Sequence, residues 1–173
     1  AIPLFGGNPA LKPEESSDVE AGIQWKEKRL LAKSALFLNR RVNEIGFDPN
    51  LTDATHLFGR NNNFGKTERV GVESFAESKV FPWLRLRASH ATTEAVFKSN
   101  ITTAEISCDH IPMVPRNRFT SDILIQPLKD LDVDLNMVAV AKQVLTNDLT
   151  NDRNGRRLPS YMVFNFKTIY RVK

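Results

Sequence analysis

The segment YMVFNFKTIYRV, residues 161–172, carries the clearest strand pattern in the sequence. Its even-numbered positions are apolar apart from Thr168, whereas its odd-numbered positions mix Val163 and Ile169 with polar side chains. Alternation with a period of two predicts a β-strand with one buried face. A strand this apolar is expected to pair with a sheet or with another subunit, and Phe164 and Phe166 are therefore predicted self-association residues.

Further strands are predicted upstream of this segment. Within residues 80–88, Leu84 and Leu86 alternate with Arg85 and Arg87, which predicts a half-buried strand. Residues 101–111 and 123–128 are also predicted as strands, the second one at a sheet edge because it contains Pro127. Residues 70–75 form a weaker candidate.

Two helices are predicted from apolar spacing. Ser17 and Glu20 have the spacing of a capping box, and Gly46 follows as a C-terminal cap, which predicts a helix over about 18–45. A second helix is predicted near 133–148, with acidic residues at its start where the helix dipole favours them. The apolar stripes that carry these predictions are Leu31, Ala35, Leu38, Val42 and Ile45 in the first, and Leu131, Leu135, Val138, Leu145 and Leu149 in the second.

The predicted fold class is therefore α+β. We expect an antiparallel or mixed sheet of about 4–6 strands, packed by one long N-terminal helix and one helix near 133–148. Residues 1–15 contain three prolines and a Gly-Gly pair, so they are predicted to be a flexible N-terminal arm. Residues 16–173 are predicted to be a single α+β domain. The apolar arm residues Ile2, Leu4 and Phe5 complete the predicted self-association set.

The single cysteine, Cys108, excludes a disulfide within the chain, and a reducing, intracellular compartment is the simple inference. No apolar run reaches the roughly 18 residues of a spanning helix, and the first residues do not resemble a signal peptide. A virion is an alternative location.

The net charge of +4 is concentrated toward residues 150–173. If the basic side chains meet on one surface, they would bind nucleic acid or an anionic membrane, whereas a solvated surface is the plainer alternative. The candidate residues are Lys26, Arg29, Lys33, Arg40, Arg85, Arg87, Arg116, Arg118, Arg156, Arg157, Lys167 and Arg171.

No catalytic, metal or cofactor motif survives inspection. Residues 59–67 resemble a phosphate-binding loop but have five residues between the glycines instead of four. The acidic run at 130–134 lacks the later Gly and Glu of a calcium loop. The three histidines have no zinc spacing. No cofactor and no metal are therefore expected.

Small viral matrix and coat proteins share this general profile of composition. The first functional hypothesis is a non-enzymatic structural protein that forms a homo-oligomer and contacts nucleic acid or a membrane surface. The second is an adaptor subunit that docks on other subunits of a larger complex. The third is a hydrolase with a site near Asp109 and His110.

Overall fold

The computed structural model describes residues 8–54, 56–100, 105–146, 148–151 and 157–172. Within these ranges the secondary structure is β-strand, with no helix. The strands are β1 (Glu15–Lys26), β2 (Leu30–Asp48), β3 (Arg60–Phe81), β4 (Leu84–Phe97), β5 (Asn117–Leu128), β6 (Leu131–Val140), β7 (Gln143–Val144), β8 (Arg157–Leu158) and β9 (Tyr161–Tyr170).

Seven of these strands form one antiparallel sheet in the order β1-β2-β3-β4-β5-β6-β9. Each strand pairs with its predecessor in that order, so the sheet is a continuous meander whose edges are β1 and β9. Strands β7 and β8 pair with each other inside the connection between β6 and β9. The main sheet has 10 to 22 residues per strand, whereas a strand in a globular domain averages about 5–6.

The connections differ between the two ends of the sheet. At one end, which we call the turn end, residues 27–29, 82–83 and 129–130 join neighbouring strands. At the other, which we call the loop end, the connections are the longer segments 49–59, 98–116 and 141–160. The sheet therefore has one compact end and one end where side chains from several loops can meet.

One face of the sheet is apolar across all seven strands. Directly paired residues of antiparallel strands point to the same side, and the row Phe166–Leu135–Ile123–Leu86 runs across four strands in this way. The positions grouped below carry no Asp, Glu, Lys or Arg, whereas the same side is charged toward the loop end, where Glu94 pairs with Val70 and Arg40 pairs with Glu68. We call the following set the apolar face: Val19, Ala21, Ile23 and Trp25 on β1; Leu30, Ala32, Ser34, Leu36 and Leu38 on β2; Val70, Val72, Ser74, Ala76 and Ser78 on β3; Leu84, Leu86, Ala88, His90 and Thr92 on β4; Phe119, Ser121, Ile123 and Ile125 on β5; Leu131, Val133, Leu135, Met137 and Ala139 on β6; Met162, Phe164, Phe166, Thr168 and Tyr170 on β9.

The opposite side, which we call the polar face, carries the charged and amide side chains of the same strands. A few apolar residues, such as Phe37 and Val138, are interspersed among them. Its polar members include Asp18, Lys33, Asn39, Arg69, Glu77, Arg85, Arg87, Asp122, Asp132, Asn136, Asn165 and Lys167.

The buried apolar cluster lies at the loop end and not beneath the sheet. Phe64, Phe97, Ile106 and Leu149 form it, with Ile111 packed against it. The rings of Phe64 and Phe97 meet edge to face with centroids 5.5 Å apart. Asn43 has φ of 58° and lies between the register pairs Val42–Lys66 and Glu44–Phe64. Beyond it the alternation changes side, because Phe64 turns into this cluster.

The predicted α+β class is wrong, and so is the helix predicted over 18–45. Those residues form β1, a turn at 27–29 and β2. The supposed helical stripe divides between the two faces of β2, since Leu31 and Ala35 lie on the polar face and Leu38 on the apolar face. An extended strand with apolar residues on both faces reproduces helical spacing by coincidence.

The helix predicted near 133–148 is also wrong. Strand β6 occupies 131–140, with Leu131, Val133 and Leu135 on the apolar face and the acidic residues between them on the polar face. The strand predicted over 161–172 agrees with β9, and the predicted segments 70–75 and 123–128 lie within β3 and β5. In the range 101–111, residues 101–104 lie outside the described residues, and 105–111 contain only an isolated bridge from His110 to Val96.

Residues 8–14 of the predicted arm contact the sheet near the loop end. The side-chain amide of Asn8 donates to the carbonyl of Asn61, and the Lys12 N–H donates to Asn63 Oδ1. Glu14 accepts hydrogen bonds from Arg41. The division at residue 15 remains a prediction. In the described part of the chain, no helix is long and apolar enough to cross a membrane.

Gly71 of β3 lies close to the backbone of β4, which leads to a prediction about stability. A Cβ at Gly71 would lie 2.2 Å from the Thr92 carbonyl oxygen and 2.7 Å from Phe37 Cζ. We expect Gly71→Ala to lower the free energy of unfolding by about 1–3 kcal/mol, since a packed backbone must shift to admit the methyl group. Denaturant unfolding measures this. Gly22→Ala in edge strand β1 is the control, because the added methyl carbon would lie 3.0 Å from its nearest neighbour. An equal loss of stability in both variants would show that close packing at Gly71 is not the cause.

Candidate functional site: a charged wall opposite a charge-free face

A bidentate ion pair organises the polar face near the loop end. Arg69 Nη1 and Nη2 donate to the two carboxylate oxygens of Glu44 at 2.9 and 2.5 Å. Thr67 also donates its hydroxyl to Glu44. The Arg69 and Glu44 side chains are only 17% and 14% exposed, so they hold each other in fixed positions. Two-point guanidinium–carboxylate pairing adds geometric definition as well as energy.

A second network crosses the polar face from β3 to β9. Arg87 donates to Glu77 at 2.6 Å, and Asn136 bridges Asp122 and Asn165 at 2.8 Å each. Nearer the turn end, Arg171 and Gln126 both donate to Asp132. The network therefore presents both signs of charge and many donors and acceptors, which suits a surface that faces water or a polar ligand.

An open groove of about 690 Å³ lies at the turn end, lined by the β1–β2 and β3–β4 turns and by the neighbouring parts of β5, β6 and β9. Phe81 and Trp83 stack at its rim with ring centroids 5.3 Å apart. Among the described residues, Asp134 Oδ1 is buried without a hydrogen-bond partner. The charged lining residues are Lys28, Arg29, Lys79, Arg85, Asp132, Asp134 and Lys167.

A smaller cavity of about 300 Å³, which we call the loop-end pocket, lies under the connections 98–116 and 141–160. Its lining includes Arg116, Lys142 and Arg157, together with His110, and no carboxylate among the described residues. Arg116 is held at the edge by Glu94 at 2.9 Å. Lys142 and Arg157 are exposed, so the pocket favours anions.

The predicted basic set is distributed along the whole sheet instead of forming one patch. Lys33, Arg85, Arg87, Arg118 and Lys167 lie on the polar face. Several members contact carboxylates: Arg87 and, at 3.9 Å, Arg85 share Glu77, and Arg171 pairs with Asp132. The remaining placements are Lys26 at the end of β1, Arg29 in the turn after it, Arg40 at the loop end of β2, Arg116 and Arg157 in the loop-end pocket, and Arg156 outside the described residues.

The predicted self-association residues Phe164 and Phe166 lie on the apolar face and are 72% and 67% exposed, whereas Ile2, Leu4 and Phe5 lie outside the described residues. The histidine near the suggested hydrolase site belongs to an ion-pair cluster. His110 Nδ1 lies 3.1 Å from Glu94, and Arg116 lies 3.0 Å from His110 Nε2. The described residues contain no group of three His, Cys, Asp or Glu that could hold a metal ion.

The apolar face is the feature that defines the class of protein. Exposed apolar side chains such as Ile23, at 79%, and Leu36, at 62%, continue from strand to strand. Soluble monomers rarely expose an apolar surface that continues across seven strands, and large apolar patches mark sites of contact with a protein or a membrane. A sheet that is apolar on one side and polar on the other, with short turns at one end and longer loops at the other, is the pattern of a transmembrane β-barrel wall.

The family comparison agrees with this class. The chain belongs to the family described as TonB dependent receptor-like, beta-barrel, whose model matches residues 2–173. No curated protein sequence matches the chain significantly.

Solved structures of the same architecture match most of the chain at low identity. The copper transporter OprC matches with a TM-score of 0.71 and 17% identity, over 95% of this chain and 24% of that one. A mutant of the ferric enterobactin receptor from Pseudomonas aeruginosa matches with 0.70 and 20%, over 98% and 25%. The unliganded ferric citrate transporter FecA matches with 0.67 and 22%, over 91% and 24%. The chain thus spans about a quarter of the length of the solved structures it matches.

These findings correct the functional predictions. The hypotheses of a viral matrix-like or coat-like assembly protein, of an adaptor subunit and of a hydrolase near Asp109 and His110 are wrong, because the family is one of receptors. The predicted homo-oligomer and nucleic-acid partner are wrong for the same reason. The predicted intracellular or virion location is also wrong, because receptors of this family are outer-membrane proteins. Family members are transporters and not enzymes.

The segments predicted as helices do carry the period-two alternation of strands. That alternation is weak because apolar residues also occur on the polar face. Asp130, Asp132 and Asp134 alternate with Leu131, Val133 and Leu135, which is the strand pattern in its plainest form. Such segments carry a much weaker signal than spanning helices. The apolar side chains of the seven strands are seen to share one face only after the register is known.

The contribution of the Arg69–Glu44 pair to stability can be tested with a single variant and a double variant. We expect Arg69→Met to destabilise the protein by about 3 kcal/mol, because the mostly buried carboxylate loses its bidentate partner and keeps only Thr67 and, at 3.9 Å, Arg41. Adding Glu44→Leu should recover most of the loss, since the unpaired charge is then gone. Denaturant unfolding measures both variants. A double variant as unstable as Arg69→Met would show that the pair is not the cause.

Proposed function

We propose that this chain forms part of the barrel wall of an outer-membrane receptor that takes up a metal chelate in a TonB-dependent manner. The observation that carries the proposal is the charge-free apolar face opposite a charged polar face, in a chain of the TonB-dependent receptor barrel family. In this arrangement the apolar face contacts lipid and the polar face lines the lumen.

The dimensions of the sheet support the membrane placement. A spanning β-strand needs about 9–11 residues tilted by about 45°. Strands β6 and β9 have 10 residues each, which at about 3.3 Å per residue gives a height of about 23 Å at that tilt. This agrees with the apolar band of about 25 Å in such barrels. The longer strands β2 and β3 would project beyond the bilayer at the loop end.

The two ends of the sheet support an orientation. Outer-membrane barrels have short periplasmic turns and longer extracellular loops, so the turn end would face the periplasm. Trp25 and Tyr170 lie at the turn end of the apolar face, and Trp83 lies in the β3–β4 turn. Aromatic rings at this level match the girdle found at barrel interfaces. The groove at the turn end would then open toward the periplasmic side of the lumen.

The substrate class follows from the loop-end pocket. Its cationic lining would recognise the anionic periphery of a chelate such as a carboxylate or catecholate complex of iron. The solved structures that share the fold include a ferric enterobactin receptor and a ferric citrate transporter, which makes these two chelates the first substrates to test. The copper transporter in the same set makes copper the alternative cargo.

The membrane placement predicts that a charge introduced on the apolar face of β6 costs more stability than one introduced on its polar face. Leu135 lies midway along the apolar face, and Val138 lies on the polar face of the same strand. We expect Leu135→Arg to cost about 2–4 kcal/mol, because a charge near the bilayer midplane must be desolvated. Val138→Arg should cost much less, since its side chain faces the lumen. Unfolding from lipid vesicles measures both costs, and equal costs would contradict the assignment of faces.

The uptake proposal is tested in cells that lack their own receptors and express this protein. We expect energy-dependent accumulation of radiolabelled iron from ferric enterobactin or ferric citrate, and its loss when TonB is deleted. We expect Lys142→Gln with Arg157→Gln to weaken chelate binding about tenfold, which corresponds to about 1.4 kcal/mol. Lys33→Gln on the polar face of β2 is the matched charge control. Absence of binding and uptake for both iron chelates and for copper would overturn the proposal.

A further inference from the structure

A cluster of charged residues lies where the apolar face ends at the loop end. Arg40 on β2 is two residues beyond Leu38, the last apolar-face position of that strand, and its register partner is Glu68 on β3. Lys66 lies further along β3, and Lys98 follows β4 and donates its N–H to the Lys66 carbonyl at 2.8 Å. We call Arg40, Lys66, Glu68 and Lys98 the rim cluster.

All four side chains of the rim cluster point to the same side as the apolar face. Arg40 and Glu68 lie two residues beyond Leu38 and Val70 on their strands, so they point to the same side. Lys66 is exposed and pairs with Val42, just before the side chains change side at Asn43. The Lys98 ammonium is fixed on this side because it contacts Glu68 Oε1 at 2.9 Å. The cluster therefore faces the membrane and not the lumen.

The charges of the rim cluster do not balance. Glu68 receives Arg40 on one carboxylate oxygen and Lys98 on the other, both at 2.9 Å. Among the described residues, no carboxylate lies within ion-pair distance of the Lys66 ammonium. The cluster has three cations against one carboxylate. Of the neighbouring carboxylates on the same side, Glu94 is paired with Arg116, and Glu15 lies beside Val42 on the edge strand. When Glu15 is counted, one positive charge remains. The Arg40 and Lys98 side chains are 66% and 44% exposed, so their remaining donors are free to meet an anion from outside.

The height of the cluster sets the kind of partner. Two residues along a strand correspond to about 6.6 Å, which at a tilt of about 45° places Arg40 about 5 Å above Leu38. That is the level at which lipid headgroups begin once the apolar side chains contact hydrocarbon. A phosphate monoester carries a charge of about −1.5 to −2 near neutral pH, which suits a cluster of three cations that keeps an excess of positive charge.

We propose that the rim cluster binds the phosphate monoester headgroup of a membrane lipid whose acyl chains lie against the apolar face below it. The inference rests on the membrane placement proposed above but not on the transported substrate. Val70 and Val72, which are 46% and 37% exposed, lie directly below the cluster on β3. A single lipid thus satisfies the charges and covers the apolar side chains together, which free phosphate does not.

The test uses the purified protein in its natural length, in detergent, with single-lipid binding resolved by native mass spectrometry. The probes are phosphatidic acid, phosphatidylglycerol and phosphatidylcholine of the same acyl chains. We expect phosphatidic acid to bind tightest and to weaken about tenfold in the Lys66→Gln, Lys98→Gln double variant, since each basic residue near a headgroup contributes appreciably. Lys33→Gln on the polar face is the matched control and should change nothing.

Each other outcome overturns the inference. Equal binding of the three lipids would show that the headgroup phosphate is not recognised, and an unchanged double variant would place any lipid elsewhere. Displacement of phosphatidic acid by equimolar inorganic phosphate would show an anion site without a lipid. Failure of the proposed function is distinguishable, because it appears as lost chelate uptake by a protein whose lipid binding is intact.

Discussion

The structure depends on one constraint: the backbone hydrogen bonds of a wide sheet must be made between its strands. At the same time the two faces of that sheet meet different surroundings. In hydrocarbon an unpaired N–H or carbonyl group costs several kcal/mol, so a spanning sheet must pair strand to strand without interruption. The meander from β1 through β9 does this for its inner strands by nearest-neighbour pairing, whereas the outer sides of β1 and β9 have no partner strand among the described residues. Period-two alternation then separates the chemistry, because successive side chains point to opposite faces.

That separation explains why the protein has so little conventional core. The buried apolar cluster of Phe64, Phe97, Ile106 and Leu149 packs only the loop end. Elsewhere the apolar side chains are exposed, and in the proposed location lipid takes the place of a core. The polar face is instead ordered by ion pairs such as Arg69–Glu44 and by amide bridges through Asn136, which position charged groups on the side that we propose lines the lumen.

The sequence predicts individual strands better than it predicts the fold. Residues 161–172 alternate strongly enough to be assigned from sequence, since Phe164 and Phe166 stand against Asn165 and Lys167. Strand β2 does not, because Leu31 and Phe37 are apolar on the polar face and create helical spacing with Leu38. The sequence identifies the charged residues. It does not show which of them lie on the proposed lumen wall, in the rim cluster or in ion pairs, because that depends on the register between strands, which no single segment encodes.

The central claim is that the two parities of one strand face lipid and water, and spin labels along β6 test it most directly. With Cys108 replaced by Ser, single cysteines at positions 131 to 139 would be labelled and their collision rates with oxygen and with a water-soluble nickel complex compared in bilayers. The account predicts that odd positions such as Leu135 favour oxygen and even positions such as Asn136 favour nickel. Equal accessibility at both parities, or the reverse pattern, would contradict it.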